Sequence, residues 1–259
     1  MRKNMLLVHR ISFAGLSLLL VFAALALISS QKRADNLYQT SQHFVVMELF
    51  TSQGCSSCPP ADKLLAEYAG SGDTHIIPLS FHVDYWNRLG WMDSFSNSSY
   101  SSRQQWYSEH LPKGSVYTPQ LIINGKSEVV GNDRNAVSGL VKKELNNIYT
   151  GSIAIADIIF EKGKLCFHYT TTIDDKNEVI NIALIQKNTS TKINAGENNG
   201  LTINNHNVVR AFQTQPVSSD GNVMMDVPSA FNNKLYALVV YIQNTKNLVI
   251  SAATQRDLL

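Results

Sequence analysis

Phe44-Val45-Val46-Met47-Glu48-Leu49-Phe50-Thr51-Ser52-Gln53-Gly54-Cys55-Ser56-Ser57-Cys58-Pro59-Pro60-Ala61-Asp62-Lys63-Leu64-Leu65-Ala66 is the stretch on which the reading of this chain turns. The run 44–50 is apolar apart from one residue and has the length of a buried strand. A short polar loop follows, then two cysteines separated by two residues, then a helical pattern. Cysteines so placed close a small disulfide ring, and the first sulfur lies near the positive end of the helix dipole. A thiolate is stabilised there. The spacing at a strand-to-helix junction therefore points to a redox pair, with Cys55 as nucleophile and Cys58 as resolving thiol. The alternative is a ring that only pins a turn.

Outward from this junction the first half alternates strand and helix. The helix runs to about Tyr68 and stops at Gly70-Ser71-Gly72. His75–His82 reads as a strand, with Pro78 marking an edge or an irregularity because proline cannot donate to a ladder. An aromatic loop, 83–95, leads to a second helix capped by Asn97 or Ser98 and reaching His110. Pro119–Ile123 starts a third strand, Asn124-Gly125 is a hairpin turn, and 127–130 returns as a fourth. A helix over 133–148 closes the half. From Ser152 onward seven short β-rich runs with turn signals and no helical period indicate an all-β sandwich, with the polar stretch 188–207 as a connector. The expected organisation is residues 43–149 as an α/β domain and 150–259 as a β-sandwich domain.

Residues 1–36 precede both. Arg2, Lys3 and Arg10 stand before an uncharged apolar run, Ile11 to Ser30, which is either a signal peptide or an N-terminal membrane anchor. On the second of these readings residues 11–30 attach the chain to the membrane, and on either the expected location is the periplasm or cell envelope. Five basic residues and one acidic residue in this leader leave the remaining chain with a net charge of about −2. That is no footprint for nucleic acid. Three cysteines leave Cys166 over, expected as a buried small hydrophobe between Leu165 and Phe167.

The first half resembles the thioredoxin superfamily in element order, in Cys55-Ser56-Ser57-Cys58 and in Thr118-Pro119. More closely, Glu48–Asp62, Leu79–Trp86 and Val116–Gln120 resemble a bacterial family of unknown function described as secreted thioredoxin-like proteins, and Asn205–Arg210 resembles its second domain. The resemblance implies a thioredoxin-like N-terminal domain. It also implies a cis Thr118-Pro119 bond that forms a substrate-side wall beside the cysteines, and a buried carboxylate, Glu48, that shuttles the proton of Cys58.

The remaining polar candidates carry two readings each. His82 and Asp84, at a strand end, either anchor the loop by a hydrogen bond or serve the chemistry, by tuning or shuttling protons or, for His82, by joining both cysteines on a soft metal. Tyr85, Trp86 and Trp91 either form a peptide-binding rim, with Trp86 as the substrate contact, or pack the loop. His206 and Arg210 have no assigned role. The sequence as a whole indicates an exported thiol–disulfide oxidoreductase that needs no cofactor and exchanges with protein thiols or disulfides and a redox partner protein. The competing functions are an envelope protein handling copper or zinc and a non-catalytic binding module.

Overall fold

The computed structural model of the chain describes residues 43–112 and 114–258. The leader and its apolar run lie outside these residues. Strand β1 (Val45–Thr51) is buried along its whole length, as its apolar run requires, because both faces of the sheet are covered. It pairs in parallel with β2 (Ile76–His82), and helix α1 (Pro59–Ala69) makes the crossover. Two prolines open α1, where a missing N–H costs nothing. Helix α2 (Ser98–His110) starts at Asn97, whose side chain accepts the N–H of Ser99. Strands β3 (Gln120–Ile123) and β4 (Ser127–Val130) form an antiparallel hairpin. Its turn residues, Asn124 and Gly125, both have positive φ, 47° and 72°. Helix α3 (Arg134–Leu145) follows.

The second half supplies β5 (Ile153–Glu161), β6 (Lys164–Thr171), β7 (Glu178–Lys192), β8 (Thr202–Pro216), β9 (Asp220–Asp226), β10 (Tyr236–Asn244) and β11 (Ile250–Asp257). The expectation of an α/β thioredoxin-like N-terminal domain joined to a separate all-β sandwich does not hold. Among the described residues eleven strands outnumber three α-helices, and eight strands form one mixed sheet in the order β11-β10-β7-β8-β2-β1-β3-β4. Only β5, β6 and β9 form a second sheet. Their inward residues, among them Ile155, Leu165, Phe167 and Val223, pack on Ile182, Leu184, Leu238 and Val240 of the large sheet.

The two halves meet where β2 lies beside β8, in parallel, through the single register pair Ser80 and Val208. Pro78 explains why the pairing is so short. It cannot donate toward β8, and the side chain of Asn207, itself at φ 50°, donates to the Pro78 carbonyl instead. The proline is thus the irregularity its position in a strand implied, but at a strand inside the sheet. Leu165 and Phe167 turn inward, so Cys166 faces outward and is only half-buried, contrary to the expectation of a buried thiol.

A buried ion pair locks the junction. Odd residues of β1 (Val45, Met47, Leu49) pack against α1 and α3, so Glu48 points to the other face, toward α2. There Arg103 of α2 grips it through two hydrogen bonds, Nε to Oε2 at 2.6 Å and Nη2 to Oε1 at 3.0 Å. The same Nη2 reaches Tyr241 Oη and Gln243 Oε1 of β10, each at 3.0 Å. Tyr107 donates to Glu48 at 2.6 Å. The guanidinium also lies 4.8 Å from the ring centre of Phe212 in β8 and 5.0 Å from that of Tyr107.

Arg103→Met, which strands the Glu48 carboxylate in the core, is expected to destabilise the protein by about 3–5 kcal/mol in denaturant unfolding. Arg103→Lys is expected to recover little, because an ammonium cannot make the two-pronged contact. Glu48→Leu combined with Arg103→Met should cost less than Arg103→Met alone, since neither charge is then left unpaired.

Candidate functional site

Strand β1 ends at Thr51, and the chain then turns tightly into α1. The Cys55 N–H donates to the Ser52 carbonyl at 3.2 Å, and the Cys58 N–H to the Cys55 carbonyl at 3.2 Å. This turn brings Cys55 and Cys58 to 5.4 Å between Cα atoms, and they form a disulfide. Cys58 is the N-cap of α1, and its carbonyl accepts the N–H groups of Ala61 and Asp62. The helix N-terminus therefore begins at the disulfide itself.

Three oxygens surround the Cys55 sulfur. Ser57 Oγ lies at 3.2 Å, Thr118 Oγ1 at 3.3 Å and the Thr118 carbonyl at 3.9 Å. The Thr118–Pro119 peptide is cis. Trp86 Nε1 donates to Thr118 Oγ1 at 2.8 Å, which leaves the threonine proton free to point at the sulfur. Trp86 thus reaches the site through Thr118 rather than through open surface, and its ring is half-buried. Thr118, Pro119, Trp86 and the two cysteines all gather at this end of the sheet.

Two expectations are corrected here. The stretch 188–207 is no mere connector, for it helps to close over the sulfurs: both cysteines are 0% exposed, and only Ser56 and Ser57 between them reach solvent. The cover comes from the second half, where the polar stretch read as a connector is the tip of the β7–β8 hairpin. Asn198 donates through Nδ2 to the carbonyls of Gln53 and Cys55, both at 2.9 Å. The Glu197 carboxylate accepts the Ser56 N–H at 3.0 Å. Asn194 to Gly200 has the composition of a turn, but nothing in it names the loop it covers.

The second correction concerns Glu48. It stands on the sheet face opposite α1, held by Arg103, and so is not beside Cys58. The carboxylate on the cysteine side is Asp62 of α1, four residues after Cys58 and on the same helix face. The local sequence carries no signal of this, because an acidic residue in a first helical turn ordinarily faces water and complements the dipole.

His82 and Asp93 are buried together, with Nδ1 and Oδ2 2.7 Å apart. Asp93 also accepts the Gln53 N–H at 2.8 Å, tying the aromatic loop to the turn before Cys55. His82 is therefore a loop anchor, and its partner is Asp93. Asp84 instead accepts Ser101 Oγ at 2.5 Å. No group of three or more His, Cys, Asp or Glu side chains placed to hold a metal ion occurs among the described residues. Tyr85 donates to Gln104 at 3.2 Å, and Trp91 Nε1 to Gln53 Oε1 at 3.2 Å. Arg210 lies over Phe95, 4.8 Å from its centroid, and donates to Gln186. His206 lies opposite Asn188 in the β7–β8 ladder.

Burial pushes the Asp62 carboxyl up from the ordinary 3.8 to about 6, against the opposing influence of His82 and Thr51. For His82 burial works downward, but the Asp93 carboxylate outweighs it and the imidazole is raised. Asp93 is lowered: burial alone would raise it, and the imidazolium and two backbone N–H groups prevail.

A carboxyl raised in the folded state contributes stability that is complete below its unfolded value and is lost as pH rises through about 6. Between pH 4 and pH 8 the wild-type protein should therefore lose about 2 kcal/mol that Asp62→Asn retains. Paired urea titrations at the two pH values measure the difference. Parallel behaviour of the two proteins would contradict it.

The chain belongs to the family described as "Protein of unknown function (DUF1223)", whose model matches residues 46–243. A crystal structure of a protein from Agrobacterium tumefaciens is similar at 28% identity and a TM-score of 0.62, over 82% of this chain and 92% of that one. A domain of the outer membrane lipoprotein Omp28 from Porphyromonas gingivalis matches 42% of this chain and 88% of its own, at 10% identity and a TM-score of 0.26, too distant to carry an argument. No curated protein matches.

Proposed function

We propose that this member of the DUF1223 family is an exported thiol–disulfide oxidoreductase working through Cys55 and Cys58. The observation that carries the reading is the arrangement around one sulfur: a disulfide at a helix N-terminus, with Thr118 and Ser57 hydroxyls at 3.3 and 3.2 Å from Cys55 Sγ. Once the disulfide is opened, both hydroxyls can donate to a Cys55 thiolate, and the helix dipole adds to them. Each stabilises the charged form and lowers the thiol pKa, which is what a nucleophilic cysteine needs.

In the oxidising direction a substrate thiolate attacks Cys55 Sγ, the Cys55–Cys58 bond breaks, and Cys58 leaves as thiolate. A second substrate thiolate then displaces Cys55 from the mixed disulfide. The substrate loses two electrons and the protein gains them; the reducing direction is the reverse. The substrates are protein thiols or disulfides, and a redox partner protein restores the starting state. The chemistry calls for no organic cofactor. Export to the periplasm or envelope rests on Arg2, Lys3 and Arg10 before the apolar run 11–30.

A second reading is favoured by the complete burial of both sulfurs: a disulfide that only staples the turn beneath the β7–β8 hairpin. Trapping separates the two. Cys58→Ser, purified reduced, is expected to accumulate a mixed disulfide at Cys55 with thiol-bearing proteins of the envelope, resolved on non-reducing gels, whereas Cys55→Ser traps nothing. Equal absence of adducts in both variants, with the native fold retained, would favour the staple.

A further inference from the structure

Five buried polar atoms without a hydrogen-bond partner concentrate behind the disulfide: Thr51 Oγ1, Asp62 Oδ1, Ser80 Oγ, His82 Nε2 and Asn205 Nδ2. An unpaired buried polar group is costly, and natural folds keep few of them. The strand pattern explains why they meet. Thr51 ends β1 on the same face as Leu49, which packs against α1, and Thr51 lies opposite His82 in the parallel ladder. Ser80 and His82, two apart in β2, share that face. Asp62 comes down on them from α1 and is 4% exposed. Asn205 of β8 closes the side, accepting Gln53 Nε2 through Oδ1 at 3.2 Å.

Cys58 and Asp62 lie four residues apart on α1, one turn above the other, and the Asp62 N–H donates to the Cys58 carbonyl at 3.0 Å. The helix thus presents the resolving sulfur and a buried carboxyl with an unpaired oxygen along one line. That oxygen makes no close hydrogen bond and caps no helix N–H, and the polar groups that act on the carboxyl include His82 and Thr51.

We propose that Asp62 is the proton carrier for Cys58, set within a buried polar cluster whose charge is governed by the His82–Asp93 pair. The proposal rests on the redox reading above. When reduced Cys55 has attacked a substrate disulfide, one substrate thiolate has left and the other half is bound to Cys55. Asp62, ionised, then takes the proton from Cys58. The Cys58 thiolate attacks Cys55 Sγ, the Cys55–substrate bond breaks, and the second substrate sulfur leaves as thiolate to be protonated by solvent. The protein gives up two electrons in forming its disulfide, and the proton rests on Asp62 until it passes to solvent or returns to Cys58 on reduction. The titratable groups facing Asp62 are His82, which when protonated favours its ionised form, and Asp93, which opposes it. Arg210 acts on His82 from β8. Burial leaves the carboxyl titrating near 6, where it can both take and give a proton close to neutral pH.

The test uses the Cys166→Ser protein, which lacks the outward-facing third thiol, reduced and desalted and mixed with dithiobis(nitrobenzoate) in a stopped-flow instrument. Attack by Cys55 releases the first coloured thiolate, and resolution by Cys58 releases the second. Asp62→Asn is expected to lower the ratio of the second rate to the first at least tenfold at pH 7, since a positioned base contributes on the order of 10²–10⁴. It should also erase an inflection near pH 6 in the second rate. An unchanged ratio and pH profile would overturn the proton carrier while leaving the redox reading intact. A Cys166→Ser protein with Asp62 intact that releases no thiolate while folded would remove the redox reading and the carrier with it. Should Asp62→Asn fail to fold, carboxyl carbon NMR of the wild-type protein decides: the Asp62 titration must move between disulfide and dithiol forms, and an identical titration in both overturns the proposal.

Discussion

The Glu48–Arg103 ion pair is the contact on which the rest of this structure depends. Neither residue can be buried alone, because an unpaired charge in the core costs several kcal/mol. Together they draw in Tyr107 from α2, Tyr241 and Gln243 from β10 and the Phe212 ring from β8. These groups come from both halves of the sequence, so satisfying the pair requires the halves to share one core. The hydrogen bonds between β2 and β8 reach only one register pair. The buried pair and the packing of Phe81 on Tyr100 and Phe212 supply what that short ladder does not.

Unity of the two halves matters for the disulfide. Its sulfurs sit on a turn fixed from below by Asp93 and His82, walled by Thr118 and Pro119, and covered by Asn198 and Glu197 from the far hairpin. A hairpin can hold carbonyls of that turn only if the sheet carrying it is rigidly joined to β1. The cover also sets a condition on chemistry. A substrate sulfur must approach Cys55 from the side of Ser56 and Ser57, the exposed pair, or displace the contacts of Asn198.

The individual elements were largely legible in the sequence. The strand run before the cysteines, apolar but for Glu48, the Asn97 cap and the Asn124-Gly125 turn each rest on local chemistry, and each lies where that chemistry puts it. What was not legible depends on distant partners. Nothing near Pro78 tells that β8, more than 120 residues later, fills the edge it leaves bare. Glu48 looked like a lone carboxylate beside the cysteines because Arg103, 55 positions away, lies in a helix whose other residues are mostly polar. Asp62 looked like an ordinary first-turn acid because the residues that bury it come from β1, β2 and β8. The misassignment of the two halves to separate domains has the same cause: a change from helix-rich to strand-rich composition marks where elements change, not where a sheet ends.

The redox equilibrium of the Cys55–Cys58 pair tests the account most directly. The folded protein would be poised in glutathione or dithiothreitol buffers and its free thiols counted by alkylation and mass spectrometry. The account predicts a reversible two-electron transition between about −120 and −270 mV, absent in Cys55→Ser. A pair that stays oxidised until the protein unfolds would contradict it and leave the disulfide as a staple.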